Sequence, residues 1–232
     1  MTAKPQERTT GTRLLVINPN TNPEVTRQAL SAAQAFANSD AHVDAVNPGR
    51  GPFAIETPDD RAAAVPEVLS IIRSRSYYDG YVLACFDDIA IQDARRLVPA
   101  PVISMAEAGI RKAAALLNRF AVVTTVDAAV PTIQALTDSY GMAGRHSVLA
   151  TRIGVAETAI RSDRAEAALS QTILRAQRQF HAEGILLGSG AYAGRSLELE
   201  RRFGLPFIDG LQAAIEYSTH AGRRQERHSP GS

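Results

Sequence analysis

The chain has 232 residues, 45% hydrophobic and 21% charged, which predicts a compact soluble α/β protein, either one domain or two small lobes. Lys plus Arg total 25 against 24 Asp plus Glu, a formal charge of +1. No large field is available to gather nucleic acid or an anionic membrane, so small-molecule chemistry or protein partners are expected. The apolar runs are strand-sized, far below the roughly 18 residues of a membrane span. The first of them starts at Leu14 behind a polar segment, so no secretory signal is expected. One cysteine, Cys85, excludes an internal disulfide framework and suits a reducing cytoplasm. Lysine occurs only as Lys4 and Lys112, which argues against Schiff-base chemistry with a pyridoxal cofactor.

Residues 1–12 and 221–232 read as mobile tails, since neither carries an apolar period. Between them short aliphatic runs alternate with helical stretches. Strand Leu14–Ile17 precedes helix Pro23–Asn38, and Tyr81–Ala84 precedes Ile89–Leu97. Val102–Ser104 precedes Glu107–Leu117, and Ala121–Thr124 precedes Val130–Tyr140. Ile185–Leu187 then precedes Ser196–Phe203, and Phe207–Ile208 precedes Leu211–Ser218. Strand followed by helix, repeated, predicts a mostly parallel sheet flanked by helices.

The chain also repeats itself at an offset of about 104–106 residues. Asp79-Gly80-Tyr81-Val82-Leu83-Ala84-Cys85 resembles Glu183-Gly184-Ile185-Leu186-Leu187-Gly188-Ser189, and Leu14–Asn18 corresponds to Phe120–Thr124. Each half also has a Pro-led strand, Pro101–Ser104 and Pro206–Asp209. Two pseudo-symmetric α/β lobes follow: one from 13–118 completed by 207–220, the other from 119–206. Ligands of such sheets sit beyond the carboxyl ends of the strands. Asn18, Cys85, Thr124 and Ser189 are therefore expected around one crevice between the lobes, with Cys85 and Ser189 on opposite sides of a ligand.

Cys85 ends a strand and opens a loop whose amides are expected to favour thiolate over thiol. Asn22 with Pro23 reads as a helix cap, which leaves Asn18 as the better ligand contact. Gly188–Gly194 imitates a dinucleotide fingerprint but lacks its third-glycine spacing, so its glycines are read as bringing amides close to a small anion or carbonyl. The five histidines lack metal-ligand spacing, and no P-loop or G-x-S-x-G elbow occurs. Arg195, Arg201 and Arg202 with Glu198 and Glu200 read as a solvated helix face.

These residues resemble the aspartate/glutamate/hydantoin racemase superfamily, above all its hydantoin racemase branch. The resemblance rests on Val16-Ile17-Asn18-Pro19-Asn20-Thr21, Gly51-Pro52 with Ile55-Glu56, Ala84-Cys85-Phe86, Val122–Thr125, Leu187-Gly188-Ser189 and Leu205–Gly210. It implies a cofactor-independent enzyme of two Rossmann-like lobes, with two cysteines facing each other across a carbon acid. Cys85 matches the first cysteine; Ser189 stands where the second belongs. The resemblance assigns substrate contacts to Asn18, Thr124 and Thr125, and to Phe86, Asp87, Gly190 and Ala191 beside the two catalytic positions. Phe53 and Ile55 are expected to fold over the crevice and meet the substrate's side group. A homo-oligomer is also expected.

A hydroxyl needs a partner base to do a thiol's work, so Ser189 leaves three readings. One is a Cys-to-Ser replacement of a racemase. Another is a natural one-thiol enzyme, such as a malonate-type decarboxylase or one whose thiolate attacks a hydantoin- or thiohydantoin-like ring. The third is a non-catalytic small-ligand-binding protein.

Overall fold

A computed structural model describes residues 11–226, with side chains as far as His220. The elements of its first half are β1 (Thr12–Ile17), α1 (Pro23–Phe36), β2 (Ala41–Val46), α2 (Pro58–Ser74), β3 (Gly80–Leu83), α3 (Ile91–Leu97), β4 (Val102–Ser104) and α4 (Met105–Leu116). The second half holds β5 (Phe120–Thr124), α5 (Val130–Thr137), β6 (His146–Ala150), α6 (Val155–Ala159), α7 (Asp163–Phe180), β7 (Gly184–Leu187), α8 (Ser196–Phe203), β8 (Phe207–Asp209) and α9 (Gly210–Glu226). Of the two expected tails, 1–10 and 227–232 lie outside the described residues. Thr12 already belongs to β1, and α9 runs on through 221–226 instead of ending at Ser218.

The strands form two parallel four-stranded sheets in the same order, β2-β1-β3-β4 and β6-β5-β7-β8. The internal repeat is thus realised strand for strand. Central strands β1, β3, β5 and β7 are covered on both faces, which is why they read as unbroken apolar runs. Edge strands β2 and β6 carry His42, Asp44, His146 and Ser147, so their pattern is too polar to have stood out. Side chains mark the helix starts. Asn22 accepts the Glu24 amide with Pro23 in the first turn, and Thr57 and Asp60 form a reciprocal box ahead of α2.

The helices after the last strand of each sheet change places. α4 follows β4 of the first sheet, but Met105, Ile110 and Ala113 pack with Phe120, Val122, Leu186 and Ile208 of the second. α9 follows β8 of the second sheet, but Leu211, Ala214 and Ile215 pack with Leu14, Val16, Val82 and Ile103 of the first. The expected boundaries are corrected accordingly: β8 stays in the second sheet, only α9 returns to the first lobe, and α4 leaves it. The two helices cross where both are smallest. A Cβ on Gly210 would stand 2.2 Å from the Met105 carbonyl oxygen, and one on Gly109 3.0 Å from the Gly210 Cα.

Arg195 corrects a second expectation. It is 5% exposed, with Nη1 2.7 Å from Glu166 and Nη2 3.0 Å from Glu198. The solvated face of α8 therefore begins beyond it, because two carboxylates offset the cost of burying the guanidinium.

Candidate active site

Every central strand delivers a polar or nucleophilic residue at its carboxyl end: Asn18 after β1, Cys85 after β3, Thr124 in β5 and Ser189 after β7. Between the lobes lies a cavity with about 70 Å³ of room for the centres of water-sized molecules. That is space for roughly five waters, the scale of a small heterocycle. Cys85, Ser189, Ile55, Phe86, Asp87, Thr124, Thr125, Gly190 and Ala191 all line it.

Two expected contacts are corrected. Asn18 is 1% exposed and is not in the cavity wall. Its Nδ2 donates to Asn20 Oδ1 at 2.8 Å, Thr26 Oγ1 at 3.0 Å and the Asn22 carbonyl at 3.2 Å, while its Oδ1 accepts the Asn20 amide at 3.3 Å. An amide so fully used shapes the loop, and Asn20 lines the cavity in its place. Phe53 is 57% exposed and points away from the wall. The segment 47–57 nevertheless crosses the crevice. Thr21 donates its amide to the Pro52 carbonyl at 2.9 Å, Ile55 lines the cavity, and Glu56 Oε1 accepts the Val155 amide of α6 at 2.8 Å.

Cys85 is half-buried. Burial pushes its thiol above the ordinary range, and the Asp87 carboxylate adds to the rise; Arg61 opposes both without cancelling them. The expected thiolate preference is therefore reversed, because the apolar wall and a neighbouring anion outweigh the loop amides. Asp87 is itself 7% exposed and receives Arg61 Nη2 at 2.7 Å. Burial raises its carboxyl, with the Arg61 charge acting against that rise.

Ser189 is buried, and its Oγ accepts the Ala191 amide at 3.3 Å. Gly190 is required here: a Cβ would come within 2.9 Å of the Ala84 carbonyl oxygen, so the Cys85 and Ser189 loops meet backbone to backbone.

A match to the family described as Asp/Glu/Hydantoin racemase spans residues 14–218, nearly all of the described chain. The chain belongs to this family. It is 37% identical over 205 residues to the hydantoin racemase of Rhizobium meliloti, covering 87% of this chain and 85% of that one. Identity to the hydantoin racemase of Pseudomonas sp. (strain NS671) is 34% over 209 residues, 89% and 84% of the two chains. The structure superposes on allantoin racemase from Klebsiella pneumoniae with a TM-score of 0.89 at 32% identity, covering 93% of this chain and 89% of that one. The protein is thus a racemase-family enzyme of two parallel α/β sheets.

Sequence reasoning missed Asn20, Thr57, Arg61, Thr132, Ile133 and Val155, all in the wall. Thr57-Pro58-Asp59-Asp60 carried a usable signal, a capping box just before an Ala-rich stretch, which places α2 and hence Arg61 in its first turn. Thr132 and Ile133 sit in the first turn of the helix after β5, where ligands of α/β sheets commonly lie. Among the described residues no group of three His, Cys, Asp or Glu could hold a metal ion, and no helix is long and apolar enough to cross a membrane.

Proposed function

We propose that this enzyme carries out one-sided proton transfer at the carbon acid of a small hydantoin-like cyclic ureide, with Cys85 as its only proton carrier at carbon. The observation that carries the reading is the pairing across the cavity. Cys85 and Ser189 end pseudo-equivalent strands in one wall, and among the described residues no histidine or lysine lines that wall to activate the hydroxyl. The hydantoin and allantoin racemases it resembles support the ring class.

In the forward step the Cys85 thiolate takes the C5 proton, and the C–H electron pair passes into the ring carbonyl as an enolate. The loop amides after Cys85 and Ser189 and the Thr124 and Thr125 hydroxyls are the donors that stabilise the developing oxyanion. The thiol then returns a proton to the same face. Burial lowers the fraction of thiolate near neutral pH but makes that thiolate a stronger base, closer to the weak carbon acid it must deprotonate. Ser189 holds the opposite face by hydrogen bonding and transfers no proton to carbon.

The upward push of burial on the Cys85 thiol also supports a single-thiol lyase. There a substrate carboxylate leaves as CO₂, the electron pair stays on carbon, and Cys85 gives it a proton.

Single enantiomers of 5-substituted hydantoins in deuterated water test both. The first reading expects deuterium at C5 of one enantiomer with configuration retained, a rate that climbs with pH through the ordinary thiol range, and a loss of at least about 10³ in Cys85→Ala. Ser189→Cys then introduces racemisation. Rapid, equal interconversion of both enantiomers by the Ser189 enzyme overturns it. Turnover only of substituted malonates, with CO₂ release, favours the lyase.

A further inference from the structure

Resting on Cys85 as the group that reacts at carbon, we infer that Tyr140 is a positioning residue for this reaction, its hydroxyl reaching from the second lobe to hold the Cys85 loop through Asp88. Residues 84–90, which carry the thiol, are neither helix nor strand, so the place of the sulfur depends on what anchors them. Two hydroxyls converge on Asp88, three residues past Cys85. Its Oδ1 accepts from Ser104 Oγ, and its Oδ2 accepts from the Tyr140 hydroxyl at 2.6 Å. Ser104 ends β4 beside β3 and caps α4, accepting the Glu107 amide at 2.9 Å. Tyr140 comes from the other lobe, on the π-helical turn Asp138–Met142 that follows α5. Wide turns of this kind recur at functional sites.

The surroundings of Tyr140 fix its ring and leave the hydroxyl to act. The ring packs against Phe86, Met105 and Ile110, and the Arg111 guanidinium lies 5.3 Å from its centroid. The turn itself is tied to β6 by Asp138 and His146, 2.9 Å apart. Burial pushes the phenol above its ordinary range, and Asp88 and Glu107 add to the rise against Arg111, so the hydroxyl remains a donor. Tyr140 is not in the cavity wall, so it acts on the thiol only through Asp88 and the loop.

The two lobes differ at this point. Leu83 of β3 pairs with Ser104, and its counterpart Leu187 of β7 pairs with Asp209. Asp209 caps α9 through the Leu211 amide at 2.8 Å and accepts the Gly194 amide at 2.6 Å. Both reacting loops are therefore tied to the end of the last strand, and the thiol loop carries the Tyr140 tie besides. That added tie bears on the sulfur in two ways. Burial and Asp87 raise the Cys85 thiol most, Asp88 adds to them, and a donor on the Asp88 carboxylate tempers its field. The same bond holds the backbone just past the sulfur, where misplacement on the order of 1 Å costs about 10² in rate.

Tyr140→Phe removes one oxygen and keeps the ring. It is expected to lower kcat for C5–H exchange of a 5-substituted hydantoin about 10- to 100-fold, with KM changed by less than about threefold. The pH profile of Cys85 alkylation by iodoacetamide is expected to move to higher pH. In an Asp88→Ala background the same change is expected to cost less than about twofold, because the hydroxyl then has no carboxylate to hold. Unchanged kcat with an unmoved alkylation profile, a rise in KM alone, or an undiminished loss in the Asp88→Ala background overturns the inference. Full activity of Cys85→Ala overturns instead the thiol reading on which it rests, a result that the alkylation profile does not depend on.

Discussion

The Cys85 thiol sits between opposing charges. Asp87 raises its pKa and Arg61 lowers it, both on top of the larger rise from burial. Replacing Asp87 with Asn removes the anion and leaves the Arg61 cation uncompensated, and both changes favour the thiolate. We expect Asp87→Asn to move the pH profile of Cys85 alkylation to lower pH, whereas the unaltered protein reacts with a midpoint above an ordinary thiol. A profile unmoved by Asp87→Asn would remove the carboxylate from the account. Cys85 was legible in the sequence because it ends an apolar run in a repeated frame; the direction of its shift was not. That direction depends on Arg61, 24 residues upstream on a helix the apolar pattern leaves faint. Asn18 and Asn20 show the same limit. Both stand in one Asn-rich loop, and only the hydrogen bonds of the folded loop decide which amide is spent internally.

Among the elements, the segment 47–57 joins the lobes at the cavity mouth. Glu56 reaches from it to cap α6, accepting the Val155 amide, one of the first-turn amides that no helix can bond internally. A charge-assisted hydrogen bond at a half-buried position is worth about 1–2 kcal/mol. Glu56→Ala is therefore expected to lower the unfolding free energy by that amount, read as a lower urea midpoint at unchanged slope, and Glu56→Gln, which keeps an acceptor oxygen, to lose less. Equal losses in both would mean that the carboxamide fails to reach α6. A strap over the crevice was readable from Gly51-Pro52 and Ile55, yet the outward turn of Phe53 was not. The segment is not a strand, so its side chains do not alternate: Ala54 and Ile55 have apolar partners to meet, and Phe53 is left exposed. Six strands and the helices that directly follow them were legible within a few residues, but α7 was missed although Ala165, Leu169, Ile173 and Ala176 recur at helical spacing. α2 escaped because Pro66 and a mixed polar face blur its period.

For the molecule as a whole, the repeat made two similar lobes legible, but the exchange of α4 and α9 between them was not. Both helices are apolar enough to cover either sheet, and sequence order assigns each to the strand before it. The exchange has an energetic consequence. Without α4 the second sheet exposes Phe120, Val122, Leu186 and Ile208, and without α9 the first exposes Leu14, Val16, Val82 and Ile103. Neither lobe owns its complete core, so the chain is expected to unfold in one transition. The crossing of the two helices is the place to test this. A methyl on Gly210 meets the Met105 backbone at 2.2 Å, and backbone cannot swing aside as a side chain would. Gly210→Ala is expected to cost about 1–3 kcal/mol, the usual penalty for overpacking a tight contact. Because the contact joins both cores, near-UV signal from Tyr81 in the first lobe and Tyr192 in the second should shift to lower denaturant together. Measured one at a time in Tyr81→Phe and Tyr192→Phe backgrounds, midpoints that separate, with one lobe unchanged by Gly210→Ala, would show that each sheet holds its fold alone and that the exchanged helices do not couple them.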